Sequence, residues 1–218
     1  MKHSGAAYDR LLEALAAEPD PPTTVREPAA AREAHVADSL AGLEAPELVR
    51  ARRIADIGSG AGFPGLVLAL ALSEAQVDLI ESGERKCAVI ERLTAAACVR
   101  NARVIRARVE EWAAGEGREA YDAATARALA PLPVVLEYAA PLLRVGGALV
   151  VWHGARDQAE EESAAAAADK LGFGPARVER VEPFPGAHSR HLYVYPKERP
   201  TAEGFPRRPG MARKRPLA

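Results

Sequence analysis

The chain has 218 residues, of which 48% are hydrophobic and 27% charged, and its formal net charge is −1. That length is ample for one α/β domain with a sizeable core and short for two. No apolar run approaches the roughly 18 to 20 residues that span a bilayer, and the start Met1-Lys2-His3-Ser4-Gly5 lacks an apolar signal core, so the expectation is a cytoplasmic protein, monomeric and without a membrane partner.

A short amphipathic helix is predicted over 8–17; Pro19, Pro21 and Pro22 end it, and a second helix is predicted over 28–40. The two form a helical appendage over 1–50. Strand and helix then alternate: strand 53–57, helix 64–72, strand 77–81, helix 84–99 and strand 102–107. Past the glycines at 115–117 come strand 121–126, a helix near 134–143, strand 148–152 behind Gly146-Gly147, helix 157–171 and closing strands 177–184 and 191–195. This order predicts an α/β fold over 51–196, a mostly parallel, doubly wound sheet with an antiparallel edge. Cys87 and Cys98 fall on one predicted helix, about 16 Å apart at ~1.5 Å per residue, too far for a disulfide. Both read as small core hydrophobes of a reducing compartment.

The last segment, 197–218, holds seven basic residues against two acidic ones, which leaves the rest of the chain acidic. It is rich in proline and glycine and has no apolar periodicity. A basic tail that tracks a phosphate backbone without a fold of its own is expected, with Arg207, Arg208, Arg213, Lys214 and Arg215 as its RNA-binding candidates; a solvated terminal tail is the alternative.

The most informative segment runs from Ile54 to Gly65, I-A-D-I-G-S-G-A-G-F-P-G: an apolar strand, a tight glycine loop and the start of a helix. Glycine lets a ligand lie against bare backbone. Gly58 and Gly60 fit the dinucleotide fingerprint G-x-G-x-x-G, but its third position is Phe63, followed by Pro64, a residue favoured at the first helical position. Glu81, about twenty residues after the first glycine, ends the next strand and is placed to accept hydrogen bonds from a ribose diol, a role common to NAD and S-adenosyl-L-methionine sites. The whole D-x-G-x-G-x-G pattern from Asp56 resembles the S-adenosyl-L-methionine loop of class I methyltransferases, a Rossmann-like fold. That cofactor is the first candidate and NAD the last. A plain strand-to-helix turn would need fewer glycines.

Ligands of such sheets sit beyond the carboxyl ends of the strands. Val109 and Glu110 follow the third strand, where Glu110 is a candidate acceptor for an adenine amino group, or else opens a short helix. Arg127 follows a central strand, and its five donors suit a carboxylate, a phosphate or a guanine edge; a structural ion pair fits that position equally. No (Asp/Asn)-Pro-Pro-aromatic segment follows the fourth strand, which ends Thr125-Ala126-Arg127-Ala128-Leu129, and neither cysteine follows a strand as a nucleophile. By elimination a ring nitrogen such as guanine N7 fits, since its in-plane lone pair needs no base and positioning can supply the catalysis. His35 and Asp38, at i and i+3 of the predicted helix, share a face. Asp38 could therefore orient the imidazole toward the cleft or RNA, making the pair catalytic candidates beside Arg127, or the pair could fix the appendage to the core. No metal site is expected.

Several segments together resemble the bacterial 16S rRNA guanine-N7 methyltransferase family (RsmG, formerly GidB). They are Thr24-Val25-Arg26-Glu27-Pro28, His35-Val36-Ala37-Asp38-Ser39-Leu40, the loop ending G-F-P-G, Glu81-Ser82, Arg108-Val109-Glu110, Ala126-Arg127-Ala128, Arg190-His191-Leu192, and Phe205-Pro206-Arg207-Arg208-Pro209-Gly210 with Lys214-Arg215-Pro216-Leu217. The resemblance implies methylation of N7 of one guanine in a decoding-region loop of 16S rRNA, free or in the small subunit. It also implies cofactor contacts at Gly58, Phe63, Val109, Glu110 and Arg127. The chain departs from the family in its shortened N-terminal region, here Pro21-Pro22-Thr23-Thr24, and in Trp152-His153-Gly154, where the family usually has a lysine. A diverged enzyme for a small molecule and a non-catalytic RNA-binding or assembly factor of the same fold are the alternatives.

Overall fold

Alternate residues along each strand feed two different cores, as the period-two geometry of a strand requires. Ile54, Val150 and Trp152 enter one core, and Ala55, Leu149 and Val151 the other. In the computed structural model, which describes residues 4–217, this sorts helices onto both faces of one sheet. Met1-Lys2-His3, part of the start read for a signal core, lie outside the described residues.

Strands β1 (Arg53–Ile57), β2 (Gln76–Glu81), β3 (Ala102–Arg106), β4 (Tyr121–Arg127) and β5 (Leu143–His153) pair in parallel, while β6 (Arg177–Val181) and β7 (Arg190–Pro196) close one side antiparallel. The order is β3-β2-β1-β4-β5-β7-β6, so the chain reverses its winding between β1 and β4, and a crevice opens there. On one face lie α1 (Ser4–Ala17), α2 (Pro28–Ala31), α3 (Asp38–Leu40), α4 (Pro46–Arg50), α5 (Gly65–Ala71) and α6 (Glu84–Ala96). The other face carries α7 (Val109–Ala114), α8 (Leu132–Ala139), α9 (Gln158–Lys170) and α10 (Met211–Lys214). Leu11, Leu15 and Val36 of the N-terminal helices share their core with Ile54 and Leu66.

Several expectations are corrected. The helix expected over 28–40 is helical but not uniform: Arg32–Ala37 is wound as a π-helix, with Asp38 N–H donating to Glu33 O. Cys98 is exposed, at φ +55°, where the α6 helix has already ended, so only Cys87 is a core residue. The segment from 197 onward lies against the body. Phe205, Ala212 and Leu217 pack on the core beside α8, and the Thr201 hydroxyl donates to Ala140 O at 2.8 Å. These anchors are irregularly spaced, which is why no periodicity marks them.

Lys197, counted among the basic residues of that segment, is 1% exposed. Its ammonium donates to Leu171 O at 2.8 Å and Arg199 O at 2.7 Å. Burial pushes its pKa down from 10.5 to about 8. The unfolded chain therefore binds more protons than the folded one between those values, and stability rises with pH in that window. Above about pH 10 the buried Tyr121, Tyr193 and Tyr195, whose pKa values burial pushes up, oppose the trend. The unfolding free energy measured in denaturant is expected to rise by on the order of 1 kcal/mol from about pH 8 to about pH 9.5, and Lys197→Met should flatten that slope.

Candidate functional site

The glycine loop leaves the end of β1 through three positive-φ residues, Gly58 (+66°), Gly60 (+58°) and Gly62 (+92°). Such values are costly for residues with a Cβ. Beneath the loop, Asp56 is buried; its carboxylate accepts from Gly65 N–H at 3.2 Å and from the Thr125 hydroxyl at 2.9 Å. Burial pushes this carboxyl up, against the pull of those hydrogen bonds. A Cβ on Gly65 would sit 2.7 Å from Asp56 Oδ2, so the helix start can approach the strand only as glycine. Asp56 thus shapes the loop from below.

Over the loop lies a cleft of about 550 Å³ lined by Gly58, Gly60, Phe63, Glu81, Val109, Glu110 and Arg127, so the fold brings all seven cofactor candidates together. The carboxylate of Glu81, at the end of β2, accepts from Gly60 N–H at 3.2 Å and Gly83 N–H at 2.8 Å. It joins the glycine loop to the start of α6, and each oxygen retains a lone pair for a ligand. Glu110 is buried at the start of α7, and its Oε1 accepts from Gly210 N–H at 2.8 Å.

A second cavity of about 670 Å³ adjoins the first, and His35, Arg127, Ala128 and Leu129 line both. Arg127 leaves the end of β4 and donates to Asp38 Oδ2 at 2.7 Å and to Ala34 O at 2.8 Å. Asp38 does not orient His35, contrary to the expectation from their spacing. The π-helical winding between them breaks the α-helical register in which i and i+3 face the same way. Instead His35 stacks on Phe63, centroids 4.5 Å apart, with Nε2 3.1 Å from Val25 O. Burial, aided by nearby Arg127, lowers its pKa against the Val25 hydrogen bond. The imidazole is thus neutral, donates from Nε2 and leaves Nδ1 buried without a hydrogen-bond partner among the described residues.

Three residues of these cavities escape the strand-end reading. Gly210 and Arg213 line the first cleft, and Arg213 also donates to Leu129 O at 2.8 Å. Glu160, inside the run Glu160-Glu161-Glu162 of α9, lines the second cavity. No local pattern separates it from its neighbours; only the orientation of α9 does. Of the five basic residues assigned to RNA, Arg207 is taken up by the buried Glu137, through Nε at 2.6 Å, while Arg208, Arg213, Lys214 and Arg215 are exposed. No group of His, Cys, Asp and Glu among the described residues could hold a metal ion, and no described helix is long and apolar enough to cross a membrane.

Comparison with known proteins agrees with this geometry. The family model described as GidB, rRNA small subunit methyltransferase G, matches residues 22–193. The ribosomal RNA small subunit methyltransferase G of Syntrophomonas wolfei is 40% identical over 185 residues, covering 85% of this chain and 86% of that protein. The protein of the same name from Rubrobacter xylanophilus is 40% identical over 196 residues, covering 88% and 75%. Among solved structures, the S-adenosylmethionine-dependent methyltransferase SibL superposes with a TM-score of 0.61 at 15% identity, over 91% of this chain and 70% of that one. A SAM-dependent O-methyltransferase from Thermotoga maritima superposes at 0.55 with 19% identity, over 70% and 61%. Both share the fold.

Proposed function

We infer, from the premise that the chain belongs to the rRNA small subunit methyltransferase G family, that it transfers a methyl group to small-subunit ribosomal RNA, and specifically to N7 of a guanine in 16S rRNA. The observation that carries this reading is the pair of cavities meeting at Arg127 and His35. One has the glycine loop and strand-end carboxylate that suit S-adenosyl-L-methionine, and the other is open to a base. When bound, that cofactor supplies an electrophilic methyl on a sulfonium. Glu81 would accept from its ribose and Glu110 from its adenine, while the bare backbone of Gly58 and Gly60 lets it lie close. Guanine N7 brings its own lone pair, so the protein need not remove a proton to make it a nucleophile. A neutral, stacked His35 and an ion-paired Arg127 then act by positioning and by excluding water.

Labelled methyl transfer to small subunits or 16S rRNA lacking the mark, followed by mass mapping of the modified nucleoside, tests the reading. Label on guanine N7 supports it; cofactor binding without transfer to either RNA would overturn it. The exposed Arg208, Lys214 and Arg215 are assigned to the RNA backbone. Changing all three to alanine is expected to lower the slope of log affinity against log salt by about one for each phosphate no longer neutralised, with cofactor affinity unchanged. An unaltered slope would place the RNA interface elsewhere.

A further inference from the structure

The second cavity is polarised. Near the wall it shares with the cofactor cleft, two guanidinium groups converge on Asp38: Arg127 Nη1 lies 2.7 Å from Oδ2, and Arg190 Nε 3.3 Å from Oδ1. Asp38 is 4% exposed, so its charge serves to hold those two cations, which both line the cavity. The anionic side lies on the opposite face of the sheet: Trp152 of β5, whose Nε1–H donates to Asp38 O at 2.7 Å, sits on the face of Asp38 and the two guanidinium groups, and the next residue, His153, faces α9. Arg127 pairs with Trp152 across β4 and β5, and His153 follows one residue later; adjacent strands are about 4.8 Å apart. There Glu160 is fixed through Oε1, which accepts from Leu132 N–H at 2.7 Å, while Oε2 lies 3.3 Å from His153 Nε2. Each carboxylate oxygen has a second acceptor position.

This polarity matches guanine and opposes adenine. Guanine has two acceptors, N7 and O6, on one edge and the donors N1–H and N2–H₂ on the opposite edge. Bringing N7 to the cofactor cleft sets O6 toward the guanidinium groups and turns the donor edge toward Glu160. Adenine keeps the N7 acceptor but differs at the neighbouring positions: an amino donor replaces O6, and N1 is an acceptor with no 2-amino group beside it. We propose that Glu160, held by Leu132 N–H beside His153, is the specificity-determining residue that accepts from N1–H and N2–H₂ of the target guanine. The proposal rests on the guanine-N7 reading above.

Glu160→Gln keeps the oxygen that Leu132 N–H needs and nearly the same volume. Methyl transfer would be compared on small subunits carrying guanosine or inosine at the mapped target, inosine lacking only the 2-amino group. Wild-type protein is expected to favour guanosine about tenfold or more in kcat/KM, as loss of a hydrogen bond to a charged acceptor implies. The Glu160→Gln variant should fall about tenfold or more on guanosine and discriminate by less than about threefold, while calorimetry gives an unchanged cofactor Kd and so reports an intact fold. Wild-type discrimination surviving in Glu160→Gln would overturn the role of Glu160 and leave the N7 reading standing. A methyl group mapped to any other atom would overturn both.

Discussion

Gly58→Asp is expected to abolish S-adenosyl-L-methionine binding by calorimetry, a drop of more than about a hundredfold in affinity. Three effects act together. The residue sits at φ +66°, where an L side chain is strained, and its Cβ would lie 2.5 Å from Leu129 Cδ1. The new carboxylate would also enter the cleft that already holds the Glu81 and Glu110 carboxylates and displace ligand from the backbone. Strain and the clash alone should cost about 1 to 3 kcal/mol of stability. Thermal melting without cofactor separates that cost from the binding defect. Unimpaired binding by a folded Gly58→Asp protein would show that the cofactor lies elsewhere.

Replacing Arg127 should have the second largest effect. Its side chain is 17% exposed and that of Asp38 6%, so Arg127→Met leaves a buried carboxylate with, among the described residues, only the longer contact to Arg190. Removing one partner of such a pair is expected to cost about 3 kcal/mol, read from denaturant unfolding. Asp38→Asn in the Arg127→Met background should recover most of that stability, because the stranded charge is gone. It should not recover methyl transfer, because the cation at the junction of the two cavities is still missing. Additive destabilisation in the double variant would show that the ion pair is not what anchors the site.

The glycine-loop cleft of the candidate site is legible in the sequence because it is encoded locally. The glycines declare the backbone conformation of the loop, and the β-α alternation places Glu81, Glu110 and Arg127 at strand ends on one edge of the sheet. The partners of these residues are not legible. Asp38 meets Arg127 and Arg190 across long stretches of sequence, and the helix that carries it is locally π-wound, so spacing alone assigns it to the wrong neighbour. Charge counting likewise misplaces Lys197 and Arg207, since a buried amine between carbonyls and a guanidinium on buried Glu137 read in sequence like any surface cation. Glu160 is hidden for the opposite reason, as one of three consecutive glutamates distinguished only by which way the helix faces.

The bond from Gly210 N–H to Glu110, with Arg213 beside it, also divides the cleft between two parts of the chain. The glycine loop and the strand-end carboxylates belong to the sheet, whose last strand ends at Pro196, whereas the donor to Glu110 comes from the segment that follows. A chain truncated before Gly210 would keep every described strand of the sheet and lack both that donor and Arg213, so the cleft is closed by residues outside the sheet that builds it.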